Sequence, residues 1–295
     1  DRSPSRGLGD VYKRQLSTED THYSIAKGCN LLMLDWIKVP VHFMGRHKDA
    51  VELESLIINA RATGKKYFIV VANMGTTMFG SVEVADIYTE LLERYELEYK
   101  LHIDAAYGGF VYPFSNPQSH LNFENPKISS VTIDAHKMLQ APYGTGIFIC
   151  RKGYMEYVLT TEAEYVEGMD LTLCGSRSGA NAVAVWMILF THGPHGWQEK
   201  VNILQMRTDW LCRELDLLNV EYFREPFMNI VTIRENHIPA DVAKAFNLVP
   251  QKHEAGNLWY KIVVMDHVET EHLSHFINVL KAQEALMTTP VNTPK

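Results

Sequence analysis

The sequence predicts an α/β fold, a doubly wound and mostly parallel sheet followed by a small α+β domain. Three observations carry this. Apolar strand-like runs alternate with helical periodicity through the first half of the chain, the pattern of strand–helix–strand units. Tyr67-Phe-Ile-Val-Val-Ala-Asn73 is apolar almost without interruption, as in a parallel strand covered on both faces. Two further apolar stretches end on charged residues, one at Asp104 and one at Asp134, the second running on through Ala135 and His136 to Lys137. Ligands in such sheets bind beyond the carboxyl ends of the strands. Gly75, Asp104 and Lys137 fall at three such ends and are expected to converge.

Taken in order, residues 1–15 (Asp-Arg-Ser-Pro-Ser-Arg-Gly-Leu-Gly-Asp-Val-Tyr-Lys-Arg-Gln) have no apolar core of a signal peptide and little amphipathic order. They resemble a translated adaptor joined to the protein at about Leu16, and fold reasoning leaves them out. Residues 21–24 offer caps for a helix over 25–32, with His22 at its start. Residues 35–43 read as a strand with Pro40 near an edge, and 49–63 as a helix closed by Gly64. After the apolar strand come Gly75-Thr76-Thr77, a strand-to-helix loop, then an amphipathic helix over 82–95. The strands bearing Asp104 and Lys137 follow, and one more spans 145–150. Residues 159–174 form a polar loop with Tyr165 in it. Gly175-Ser-Arg-Ser-Gly179 opens a long helix, which continues over 197–218. Strands near 220–225, 229–235 and 259–266, with helices over 240–246 and 270–285, make the small domain. The expected division is 1–15 leader, 16–197 large domain, 198–288 small domain and 289–295 tail.

Lys137 is the residue with the sharpest chemical reading. A lysine set at a strand end, after a His and before the breaks at Pro142, Gly144 and Gly146, can be a desolvated amine that forms a Schiff base. The plainer alternative is a structural or solvated lysine. Asp104, buried at a neighbouring strand end, requires a cation.

Together the two strand ends resemble the fold-type I pyridoxal-phosphate enzymes, and more narrowly the group II amino-acid decarboxylases, among them bacterial histidine, archaeal tyrosine/aspartate, plant serine and glutamate decarboxylases. The resemblance spans roughly residues 16–285. It implies that Lys137 carries pyridoxal 5'-phosphate, that Asp104 pairs with the ring pyridinium, that His22 in Thr-His-Tyr-Ser stacks on the ring and that Ala106 packs beneath it. It further implies that His136 reaches phosphate or substrate carboxylate, that Thr76 and Thr77 border the pocket, that Ser176 touches a partner subunit's cofactor, and that Tyr165 is the proton donor. Arg177 of the same motif reads equally well as a structural ion pair. The implied activity is decarboxylation of an L-amino acid by a homodimer. Family members carry more chain ahead of the stretch that begins here, including a phosphate-binding turn, so the sequence is expected to be a C-terminal portion that holds the cofactor poorly by itself. Two rivals remain: another fold-type I reaction (aminotransferase or carbon–carbon lyase), and an inactive fragment that only binds.

Composition fits these expectations. Of 295 residues, 46% are hydrophobic and 21% charged, and the net charge is -7, so a sizeable core is available and no basic patch points to nucleic acid. The apolar runs are too short to cross a bilayer. Cys29, Cys150, Cys174 and Cys212 lack paired spacing and read as reduced thiols of a cytoplasmic protein. His267, His272 and His275 lack a convincing third ligand and read as surface residues, not a metal site.

Overall fold

The computed structural model describes residues 13–42, 46, 48–158, 171–172, 174–175, 177–253 and 257–288. β1 (Lys13–Thr18), β2 (Asp35–Val39), β3 (Tyr67–Asn73), β4 (Glu98–Asp104), β5 (Ile128–Asp134) and β6 (Gly146–Cys150) form one sheet in the order β2-β1-β3-β4-β5-β6. The first five are parallel and β6 returns antiparallel to β5. Helices α1 (Tyr23–Leu31), α2 (Ala50–Ala62) and α3 (Asp86–Arg94) make the crossovers, and a short turn of helix, α4 (Tyr112–Ser115), follows β4. The predicted doubly wound sheet is therefore present. Its core is Leu16, Phe68, Val70, Ala72, Leu101, Ile103 and Ile128, all at most 1% exposed, closed by Tyr88, Leu91 and Leu92 of α3. Asp49 caps α2 by accepting from the Val51 amide at 2.7 Å and the Glu52 amide at 3.2 Å, which satisfies two of the donors a helix start leaves open.

The second unit is an antiparallel sheet ordered β7-β8-β10-β9. It comprises β7 (Tyr222–Phe223), β8 (Ile230–Arg234), β9 (Gln251–His253) and β10 (Asn257–Val263), backed by α6 (Ala240–Ala245) and α7 (Thr270–Thr288). Joining the two sheets is α5 (Gly179–Leu217), broken at Gly193 (φ 59°) just before Pro194. Beyond that break, Trp197, Val201 and Leu204 pack into the large core, while Leu211, Cys212 and Leu215 pack into the small one. A boundary near residue 198 thus falls inside a helix that serves both cores.

Three features differ from the sequence reading. β9 is an extra strand of three residues. β1 takes in Lys13, Arg14 and Gln15, which the sequence reading left to a leader. Pairing with β2 on one side and β3 on the other gives that backbone two ladders regardless of its side chains. The side chains suit the place less well, since among the described residues Gln15 Nε2 is buried without a partner. Finally, β4 and β5 slip register: Leu101 faces Ile128 but His102 faces Ser130. Ser129 is the extra residue of this bulge, and its Oγ accepts the Leu101 amide at 3.3 Å. Bulges re-aim the side chains that follow them.

The turn after β4 is held close to the end of β3. Gly108 donates its amide to Met74 O at 3.1 Å, and a Cβ on Gly108 would lie 2.1 Å from that oxygen. Backbone on both sides leaves no flexible atom to yield. Gly108→Ala is expected to destabilise the fold by about 3 kcal/mol, the upper range for forced overpacking, read as a lower urea midpoint; an unchanged midpoint would show that the turn is not tightly held.

Candidate active site

A cleft of about 440 Å³ opens at the carboxyl edge of the parallel sheet, a size typical of small-molecule sites. Strand alternation builds its floor. His102 and Asp104 lie two apart on β4, and Thr132 and Asp134 two apart on β5, so each pair shares one face; all four line the cleft, with Asn73 at the end of β3. Lys137 emerges directly after β5, and Ala106 and Tyr107 directly after β4. The opposite wall comes from the antiparallel sheet: Ile230 on β8, and Lys261 and Val263 on β10.

The structure brings Lys137, Asp104, Ala106, His22, Thr76 and Thr77 together around this cleft. Lys137 Nζ lies 3.0 Å from Asp134 Oδ2. Asp104 Oδ1 accepts the Ala106 amide at 3.1 Å, and among the described residues no ion-pair partner meets this carboxylate. His22 is the cap of α1; its Nδ1 accepts the Ser24 amide at 3.3 Å, so the neutral ring carries its proton on Nε2. The turn bearing His22 is tied down through Asn73, whose Nδ2 donates to Thr21 Oγ1 at 2.7 Å and also to the Glu83 carboxylate. Glu83 in turn accepts from Thr18 Oγ1 (2.8 Å), Tyr88 OH (2.8 Å) and Lys48 Nζ (3.2 Å). A buried carboxylate is tolerable only when paired and hydrogen-bonded in this way.

Two expected residues also tie down their own turns. His136 does not line the cleft: it donates from Nδ1 to Thr145 O at 3.0 Å, and its Nε2 faces Asp134 at 3.8 Å. His136 Nε2 and Lys137 Nζ thus approach the same Asp134 oxygen, at 3.8 and 3.0 Å. Thr76 borders the cleft, but its hydroxyl closes its own loop, 2.7 Å from Ser81 Oγ and accepting the Ser81 amide at 3.1 Å. Tyr165 and Ser176 lie outside the described residues.

Sequence reasoning missed His102, Thr132 and Asp134, although a step of two from Asp104 and back from Lys137 leads to them. It also missed Lys261, for which no local signal exists. Lys261 Nζ donates to Thr77 O at 2.7 Å, and burial followed by the Lys137 charge pushes its pKa down. Tyr107 bridges the two sheets with its hydroxyl donating to Asn229 Oδ1 at 2.9 Å; burial pushes its pKa up.

The arrangement fits pyridoxal phosphate. It offers an amine at a strand end, a carboxylate lacking a cation in the same cleft, and an imidazole at the rim.

The profile described as "Pyridoxal-dependent decarboxylase conserved domain" matches residues 13–223. A tryptophan decarboxylase from Clostridium sporogenes is 51% identical over 266 residues, covering 90% of this chain and 64% of that protein; the chain thus spans just under two thirds of that relative. Among solved structures, a Lactobacillus brevis glutamate decarboxylase superposes with a TM-score of 0.80 at 16% identity, covering 98% of this chain and 70% of that one. A Burkholderia pseudomallei sphingosine-1-phosphate lyase superposes with a TM-score of 0.78 at 16% identity, covering 96% and 66%. At such identities the superpositions establish the fold-type I architecture alone, and they include one of the rival reactions.

Proposed function

Because this chain belongs to the pyridoxal-dependent decarboxylase family, we propose that it removes the α-carboxylate of an aromatic L-amino acid, with pyridoxal 5'-phosphate as cofactor. The observation that carries the reading is the meeting of Lys137 and an Asp104 carboxylate without an ion pair in one cleft. When bound, the cofactor supplies an electron sink for the pair left behind as carbon dioxide departs. Lys137 would hold the cofactor by its amine, Asp104 would pair with the cation of the ring, and His22 at the rim of the cleft would pack against the group. An aromatic side chain is supported by the tryptophan decarboxylase relative and by the apolar contributions of Ile25, Ile230 and Val263 to the cleft.

The bond from the α-carbon to the carboxylate breaks and a proton takes its place, giving the amine. Tyr165 is proposed as the donor of that proton, on the resemblance of its loop to the mobile loops that close over such sites. The enzyme is proposed to act as a homodimer. Trp186 (60% exposed), Met187 (56%) and Phe190 (75%) of α5 form an apolar face of the kind that marks an interface. Four unpaired cysteines fit a reducing, cytoplasmic setting, and no helix among the described residues is long and apolar enough to cross a membrane.

Incubated with L-tryptophan and cofactor, the protein is expected to release tryptamine and carbon dioxide with no keto acid present. Lys137→Ala should abolish both this turnover and the visible absorbance of lysine-bound cofactor; turnover persisting in that variant would refute the assignment. Tyr165→Phe should keep the absorbance while slowing amine release by about 100-fold, at the low end for general acid catalysis, and amine release at the parent rate would move the role elsewhere. Light scattering should give twice the chain mass, and a monomer that turns over would count against the shared site.

A further inference from the structure

We propose that an imidazolium at His102 and the cation of the cofactor ring compete for the Asp104 carboxylate, which shares the cleft face with His102. The proposal rests on the cofactor reading above and deepens it: it names the group that makes cofactor retention depend on pH.

The geometry begins with the bulge at Ser129. Because of it, His102 stands opposite Ser130, and Asp104 opposite Thr132. The His102 ring is held between these two hydroxyls, with Nδ1 2.9 Å from Ser130 Oγ and Nε2 3.2 Å from Thr132 Oγ1, and it stacks on Phe148 of β6 at 6.1 Å and 22°. A hydroxyl can donate or accept. The clamp therefore accepts the neutral ring or the imidazolium without turning it, but supplies no charge to hold the latter.

The charge must come from elsewhere, and the packed elements offer one source. β3 sets Val71 beside His102. β5 presents Ser130 and Thr132, and farther along the same edge Asp134 and Lys137 face each other at 3.0 Å. β6 presents Phe148. On β4 itself Asp104 shares the cleft face with His102. Burial disfavours the imidazolium and the Asp104 charge favours it, with burial the larger effect, so the pKa of His102 lies below its ordinary value.

Pairing of Asp104 with a ring cation offsets the attraction that favours the imidazolium. At pH values around its midpoint, His102 then gives its proton to solvent. Coupling of this kind is reciprocal: protonation of His102 weakens the hold on the cofactor by the same factor by which the cofactor weakens the hold on the proton. The sign follows from the two like charges, which favour the cofactor when His102 is neutral. Cofactor affinity is full at pH values above the His102 midpoint and falls as pH drops through it.

The test is a titration of the His102 ring by 1H–15N NMR, in protein stripped of cofactor and in protein reloaded with pyridoxal phosphate, with loading followed by visible absorbance. Loading is expected to lower the His102 midpoint by about one pH unit, equivalent to about tenfold weaker cofactor binding on the acid side. In Asp104→Asn the midpoint should start lower and stay still on loading. In His102→Gln the acid-side loss of cofactor should shrink by the same tenfold relative to the parent. Should that variant fail to fold, the parent titration decides alone, its ring recognised by contacts to the Phe148 ring protons. A midpoint that does not move while absorbance reports full loading overturns the proposal and leaves the cofactor reading standing. A protein that takes up no pyridoxal phosphate overturns both.

Discussion

Parallel pairing forces the carboxyl ends of β3, β4 and β5 to one edge of the sheet, and Asn73, His102, Asp104, Thr132, Asp134 and Lys137 reach the cleft from that edge. The register sets Asn73 opposite Asp104, and Asp104 opposite Thr132, so three strands deliver polar side chains at one level. The bulge at Ser129 adjusts the last of these strands, so that Ser130, Thr132 and Asp134 follow it with their side chains toward the same face. Lys137 then arrives after one turn, beside the carboxylate that the previous strand has already placed.

The antiparallel sheet acts as a wall fixed to this edge. Asn229, fully buried, accepts from Tyr107 OH and donates to Val264 O at 2.8 Å. Met228 packs where a Cβ on Gly75 would lie 2.8 Å from its terminal methyl, and Gly75 takes φ +93°. Small size and a left-handed backbone are both required there, which is the physical meaning of the glycine in Gly-Thr-Thr. With Lys261 bonded to Thr77 O, the two sheets touch at several points around the cleft, and the wall facing Lys137 has a set position.

The residues legible in the sequence were those announced by a strand end. Asp104 and Lys137 each follow an apolar run, so strand pattern puts them at one edge, whereas His22 at a helix start reads as a surface cap and enters the site only through the family resemblance. His136 follows the same strand end, and its Nε2 lies 3.8 Å from the Asp134 oxygen that also meets Lys137. Lys261, Ile230 and Val263 reach the cleft only because a second sheet docks against the first, and no local pattern encodes docking. Likewise the strand reading of Thr145 to Cys150 could not give its antiparallel direction, which hydrogen-bonding partners decide. β1 was obscured by its first three residues, whose polar side chains argue against a buried strand while their backbone forms one.

The central claim is that Asp104 serves the chemistry by holding charge on the cofactor ring, beyond merely helping to bind it. The most direct measurement compares Asp104→Asn with the parent for two quantities in the same preparation, cofactor occupancy by visible absorbance and amine formation from the amino acid. Near-equal occupancy with amine formation slowed by about 100-fold or more, a barrier increase of about 2.7 kcal/mol, is the predicted result. Amine formation at close to the parent rate, with the cofactor still in place, would contradict the account.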